Sequence, residues 1–173
     1  MLFDRHAPHI YRYLARRAGR QAADDLVGET FLAAFARRDR YDLHYADARP
    51  WLYGIATNLV GQHRRDEARQ YRIQQAATAD PEVAGHADRV AADVTAQAMR
   101  PLLGAALAAL PAGDRDVLLL IAWEQLSYRE VSRALGIPVG TVRSRLNRAR
   151  TKVRQVLAGT DAAATYEEIT TNE

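Results

Sequence analysis

The chain has 173 residues, 24 Lys and Arg against 21 Asp and Glu, a formal net charge of +3 and an apolar fraction of 48%. This is the balance of an ordinary folded chain with one moderate core or two small ones, and it argues against a largely disordered protein. With no cysteine, a disulfide framework, a thiolate nucleophile and a Cys-based zinc site are excluded; no apolar run suits a signal core or a bilayer span, so a cytoplasmic protein without membrane insertion is expected.

Phe3, Ile10, Tyr13 and Leu14 predict a first amphipathic helix, stopped by Gly19. Asp24 and Asp25 are expected to open a second helix, where acids complement the amide dipoles. Its apolar face is Leu26, Val27, Thr30, Phe31, Ala34 and Phe35. Asp25 and Glu29 remain outside as an acidic pair, serving either a partner or simple capping and solvation. A polar and aromatic loop from Tyr41 to Arg49 follows, bounded by Pro50, which suits the first turn of a third helix running from Trp51 to about Tyr71. Trp51, Leu52, Ile55, Ala56 and Leu59 face a core, and Asn58, Gln62, Arg64, Arg65, Arg69 and Arg72 form a polar, mostly basic side. Aromatics and arginines beside a loop suit unpaired bases through stacking and phosphate attraction; a core Trp with ordinary surface arginines fits the composition equally well.

Residues 73–99 hold nine alanines, four acids and one arginine, and read as an exposed, mobile linker that keeps the cores on either side separate. Leu102, Leu103, Ala106, Leu107 and Leu110 then mark a helix starting at Pro101 and broken by Pro111 and Gly113. Asp114 opens another through Val117, Leu118, Leu120, Ile121 and Trp123.

Ser127 and Glu130 form a capping box at the start of a short helix carrying Val131 and Leu135, which ends at Gly136. Val139, Val142, Leu146, Ala149, Val153 and Val156 then recur at the spacing of a longer helix. At about 100° per residue, Gly140, Ser144, Asn147, Arg148 and Thr151 point away from the side of Val142, Leu146 and Ala149, with Arg143 and Arg145 flanking them. No acid occurs between Glu130 and Asp161, whereas seven basic residues do. Arginine suits guanine and asparagine suits adenine in a major groove, so the segment reads as a DNA-binding helix-turn-helix rather than a solvated basic helix. Residues 159–173 carry four acids and no base and are expected to be a frayed tail, too short for a sensory domain.

The strings DDLVGETFLAAF, RPWLYGIATNLVGQHRR and LSYREVSRALGIPVGTVRSRLNRAR, in this order, resemble a bacterial RNA polymerase sigma factor of the extracytoplasmic function group, within the sigma-70 family. The resemblance covers nearly the whole chain to about Leu157. It implies an all-α fold of two small helical domains joined by a flexible linker: a region 2-like domain over residues 1–72, the linker 73–99, a region 4-like helix-turn-helix domain over 100–158 and the tail 159–173. It implies polymerase contacts at Asp25, Leu26, Glu29 and Phe31. It further implies −10 contacts at Tyr41, Trp51, Tyr53, Asn58, Arg64 and Arg65, and −35 contacts at Thr141, Arg143, Ser144, Asn147 and Arg148. The partners implied are core polymerase, through its β′ clamp and β flap, promoter DNA and an anti-sigma factor; no cofactor, metal or enzymatic activity is implied. Gly28 stands where the family carries a glutamine, which removes one contact and weakens the helix by about 1 kcal/mol.

Three rival readings are weaker. A free-standing helix-turn-helix regulator leaves the Trp51 to Arg65 segment and the Asp25/Glu29 helix without a role. A polymerase-binding adaptor without promoter specificity leaves the Asn147 face without one. An enzyme finds no support, because the five histidines show no metal-ligand spacing and no phosphate-cradling loop or nucleophile motif occurs.

Overall fold

The computed structural model describes the backbone of residues 2–77 and 94–170, and the side-chain surroundings of residues 2–74 and 101–158. Among these residues there are seven α-helices, α1 (Leu2–Ala18), α2 (Arg20–Ala36), α3 (Arg49–Ala77), α4 (Val94–Ala108), α5 (Ala112–Ala122), α6 (Tyr128–Leu135) and α7 (Val139–Thr170), with one 3-10 turn at Arg38–Arg40. Among the described residues there is no strand, and no helix is long and apolar enough to cross a membrane.

Several boundaries differ from the sequence-based expectation. α2 begins at Arg20, directly after Gly19 at φ 82°, so Asp24 and Asp25 lie beyond its first turn and do not open the helix. The third helix runs on to Ala77 and the fourth starts at Val94, with Pro101 inside it. Both ends of the expected linker are therefore helical, and residues 78–93 lie outside the described residues. α5 starts at Ala112 rather than Asp114, and the backbone of α7 stays helical to Thr170, into the segment expected to fray.

α1, α2 and α3 form one three-helix unit, and α4 to α7 wrap into a second. The expectation of two separate cores does not hold: buried Ile10, Tyr13, Leu14, Leu52 and Tyr53 belong to the same apolar cluster as Val117, Leu120, Leu126, Val131, Val142 and Leu146. The helix that joins them is α3. From Leu52 to Thr57 every residue is buried, because one side of α3 meets α1 and α2 while the other receives α6. The sequence predicts only a single apolar stripe there. Tyr53, Gly54 and Thr57, polar or small, carry no core signal in that stripe.

The approach of α6 is close enough to require a glycine. A methyl group built on Gly54 would lie 2.1 Å from the Ala134 carbonyl oxygen. Around this contact, polar groups tie the halves together. Arg17 of α1 donates to the Asp116 carboxylate of α5 at 2.7 Å and to the Tyr13 hydroxyl at 2.8 Å, and Tyr13 shares a 2.7 Å hydrogen bond with Thr57 of α3. The Tyr53 hydroxyl donates to the Glu124 carboxylate, just beyond α5. Burial first, and then this hydrogen bond, hold the Tyr53 phenol far above its ordinary pKa, so it remains a donor.

Gly28 and Gly54 give opposite outcomes for the same substitution. Gly28→Ala meets nothing within 4 Å and should raise stability by about 1 kcal/mol through helix propensity alone. Gly54→Ala should lower it by about 1–3 kcal/mol through overpacking against α6. Urea denaturation of both variants measures the two signs.

Candidate nucleic-acid interface

The helix-turn-helix forms for the local reasons its sequence supplies. The Ser127 side chain accepts from the Glu130 amide at 3.3 Å, and the Glu130 carboxylate accepts from the Ser127 amide at 2.7 Å, satisfying two donors that a helix start leaves open. Gly136 takes the left-handed conformation at φ 63°. The turn beyond it is fixed by Ser132, whose hydroxyl donates to the Ile137 carbonyl at 2.6 Å.

On α7, Val142, Leu146 and Ala149 are buried, while Arg143, Ser144, Asn147 and Arg148 are exposed and Thr141 is half-buried. The face expected from periodicity is therefore the outer face. Its members are not equivalent. The side chains of Arg143 and Asn147 have no hydrogen bond or ion pair among the described residues, and the Ser144 hydroxyl donates to the Thr141 carbonyl at 3.0 Å. Arg148 is engaged: its guanidinium grips buried Asp114 at the start of α5 through two hydrogen bonds of 2.9 and 3.0 Å. The Asp114 hydrogen bond and charge also hold Arg148 more firmly protonated than usual. Arg145 lies across the same helix start, against Gly113.

In the N-terminal half the loop before α3 is built from short-range contacts. Asp47 accepts from the backbone and side chain of Arg49, each at 2.9 Å. Burial pushes the Asp47 carboxyl up, but these hydrogen bonds outweigh it and keep the group below the ordinary carboxylate range. The Tyr41 ring packs on Trp51 with centroids 4.9 Å apart. Tyr41, Tyr45, Asp47 and Trp51 line an open cavity of about 300 Å³, which Arg133 of α6 closes from the other side.

Of the residues expected at this second site, the structure brings together Tyr41 and Trp51. Tyr53 is 2% exposed, edge-on to Tyr13, and outside the cavity lining. Asn58 and Arg65 are exposed farther along α3, and Arg64 reaches back to the Arg17 carbonyl. Tyr45, 45% exposed, lies within the Tyr41 to Arg49 loop, but no sequence signal marks it out individually, because an aromatic in a loop carries no periodic signal.

On α2, Asp25 and Glu29 are exposed without an ion pair among the described residues. Phe31 is half-buried edge-on against Phe3, at 4.8 Å. Leu26 is 4% exposed and so packs inward rather than facing a partner. The outward apolar residues are instead Leu32 and Phe35, 72% and 68% exposed. The apolar list places Phe35 on the inner face, yet nine residues after Leu26 is about half a turn out of phase with it. No group of His, Cys, Asp and Glu among the described residues could hold a metal ion.

The Arg148 and Asn147 positions should separate cleanly in denaturation. Arg148→Ala leaves the buried Asp114 carboxylate without its bidentate partner and lowers Tm, whereas Asn147→Ala leaves Tm within error of the parent.

Two family models match the chain: "Sigma-70 region 2" over residues 2–70 and "Sigma-70, region 4" over residues 100–153. The ECF RNA polymerase sigma factor SigL of Mycobacterium tuberculosis is 32% identical over 157 residues, 90% of this chain and 86% of that protein. SigE of Mycolicibacterium smegmatis is 35% identical over 166 residues; the match takes in 91% of this chain but 60% of the SigE length. Among solved structures, CnrH in complex with the cytosolic domain of CnrY aligns with a TM-score of 0.60 at 27% identity, covering 91% of this chain and 86% of that one. The sigma factor RpoE from Bartonella quintana, in complex with the anti-sigma factor NepR, shares the fold with a TM-score of 0.65 at 24% identity, covering 90% and 94%.

Proposed function

Because the chain belongs to the extracytoplasmic function group of the sigma-70 family, we propose that it is a dissociable initiation factor directing core RNA polymerase to promoters with defined −35 and −10 elements. The observation that carries the reading is the outer face of α7, where Arg143, Ser144 and Asn147 stand exposed above the buried Val142, Leu146 and Ala149. Side chains of this kind on the second helix of a helix-turn-helix reach base edges in a major groove. Arg143 and Asn147 are unengaged and ready to read bases; Arg148 acts from its Asp114 anchor, where the fork is fixed in direction and its exposed side meets the phosphate backbone.

The Tyr41, Tyr45 and Trp51 cavity takes one unstacked base of the −10 element, and Arg65 and Arg64 attract the adjoining phosphates. Extruding a base costs a few kcal/mol, which stacking on aromatics offsets at about 1–3 kcal/mol per base. Strand opening on this account needs no nucleotide hydrolysis and no catalytic residue. Asp25 and Glu29, with the outward Leu32 and Phe35, form the surface of α2 that meets the polymerase clamp, while the helix-turn-helix unit meets the β flap. A sigma factor of the same fold solved with the anti-sigma factor NepR supports control by a protein of that kind.

Run-off transcription from a promoter library with purified core polymerase tests the reading. The chain should confer start sites that share two sequence elements, and Asn147→Ala should lose roughly tenfold or more of its selection within the −35 element, as expected for one base-reading side chain worth about 1–3 kcal/mol. Asn147 is preferred to Arg148 because Arg148 also holds Asp114. Core plus chain that initiates nowhere specific, while the chain alone protects duplex DNA, would make it a conventional helix-turn-helix regulator.

A further inference from the structure

The cavity beside α3 is closed by a residue from the opposite half of the chain. Arg133 of α6 lies with its guanidinium carbon 3.7 Å from the centroid of the Tyr45 ring, a close cation–π stack. A guanidinium is flat, delocalised and stacks on aromatic faces, as a nucleobase does on the same kind of platform. The charge of nearby Asp42 attracts Arg133 toward the same loop without forming an ion pair with it. Arg133 has no carboxylate partner within hydrogen-bonding distance among the described residues, and its own helix is already capped at both ends by Ser127 and Gly136.

We propose that Arg133 is a placeholder in the chain's own nucleobase site: stacked on Tyr45, it occupies the seat of an unpaired base, so the helix-turn-helix masks the single-strand site until the two halves part. This rests on the base-capture reading above and adds its regulation. Tyr45 thereby becomes the stacking platform of that site, beside Tyr41 and Trp51.

The packing around the stack gives it leverage. α6 is held on α3 by the side-chain-free contact of Gly54 with Ala134, and the Tyr53 to Glu124 hydrogen bond fixes the adjoining turn. Arg133 cannot leave Tyr45 by any large distance while α6 stays seated. If the open form is a minor species, apparent affinity for single strands falls by the fraction that is open. A polymerase surface that binds the halves apart would raise that fraction.

The proposal reverses an electrostatic sign. Removing a cation from a nucleic-acid-binding protein ordinarily weakens binding, because a phosphate contact is lost. Removing this one should strengthen it. With the full chain and a labelled, fully degenerate pool of short single-stranded DNA, fluorescence anisotropy should show Arg133→Ala binding on the order of 10-fold tighter than the parent. Gly54→Ala, which unseats α6 while leaving every charge in place, should gain similarly. The double variant Arg133→Ala/Tyr45→Ala should fall back to the parental level or below.

Arg133→Ala binding equally or more weakly would make Arg133 an ordinary phosphate contact and overturn the proposal. A gain by Gly54→Ala without one by Arg133→Ala would also overturn it, assigning the masking to the packed helices alone. Run-off transcription by the parent chain with core polymerase reads the underlying function separately. Promoter-specific starts with no gain in the anisotropy assay would remove the placeholder and keep the initiation factor; a gain without specific starts would do the reverse.

Discussion

The arrangement of this chain depends on a buried guanidinium. Arg17 is 6% exposed, and a charge so placed is tolerated only when its partners are fixed in direction and distance. Asp116 and Tyr13 provide them at 2.7 and 2.8 Å, and Tyr13 is itself held by Thr57. Burial works against the Arg17 charge, and the interactions with Tyr13 and Asp116 outweigh it. Because these partners sit on α1, α5 and α3, the two terminal guanidinium nitrogens keep their partners only when the N-terminal and C-terminal units are in register. The apolar cluster that fills in around it then becomes one core rather than two.

That register has functional consequences. α3 has no wholly free face near its start: α1 and α2 take one side and α6 the other. The outer face of α7 is left open, whereas the loop before α3 is met by α6. On the proposed reading, the chain presents its duplex-reading surface and covers its single-strand surface in the same conformation. If the halves act on separate promoter elements as proposed, they must come apart, and beside the shared apolar cluster the polar and close contacts that resist this include Gly54 on Ala134, Tyr53 on Glu124, Arg17 on Asp116 and Arg133 on Tyr45.

The sequence reveals the elements better than it reveals their company. The capping box at Ser127, the Gly136 turn and the α7 faces were legible because each is set by residues within a turn or two of one another. Residues 2–74 likewise supplied their three helices, although α2 starts four residues before Asp24, since Gly19 alone suffices to restart the chain. Contacts between distant segments were not legible. The family resemblance places Tyr53 at a base pocket, and only the approach of Glu124 turns it into an interface residue. Leu26 packs on the apolar face that periodicity gives it, not outward as the resemblance implies, whereas Phe35 leaves that face because a long apolar list on one helix hides a drift of phase. Arg148 looked like a base reader, and nothing near it in sequence announces Asp114, 34 positions away.

The absence of cysteine makes the central claim, that the free chain is held closed by one shared core, directly measurable. Single cysteines placed at exposed Gln62 and Gln155 would carry spin labels, one on α3 and one on α7, for a distance distribution by electron–electron resonance. A single narrow distance in the free chain, broadened by Gly54→Ala, is the predicted result. A broad distribution in the otherwise unaltered chain, unchanged by Gly54→Ala, would contradict it and return the molecule to two independent domains.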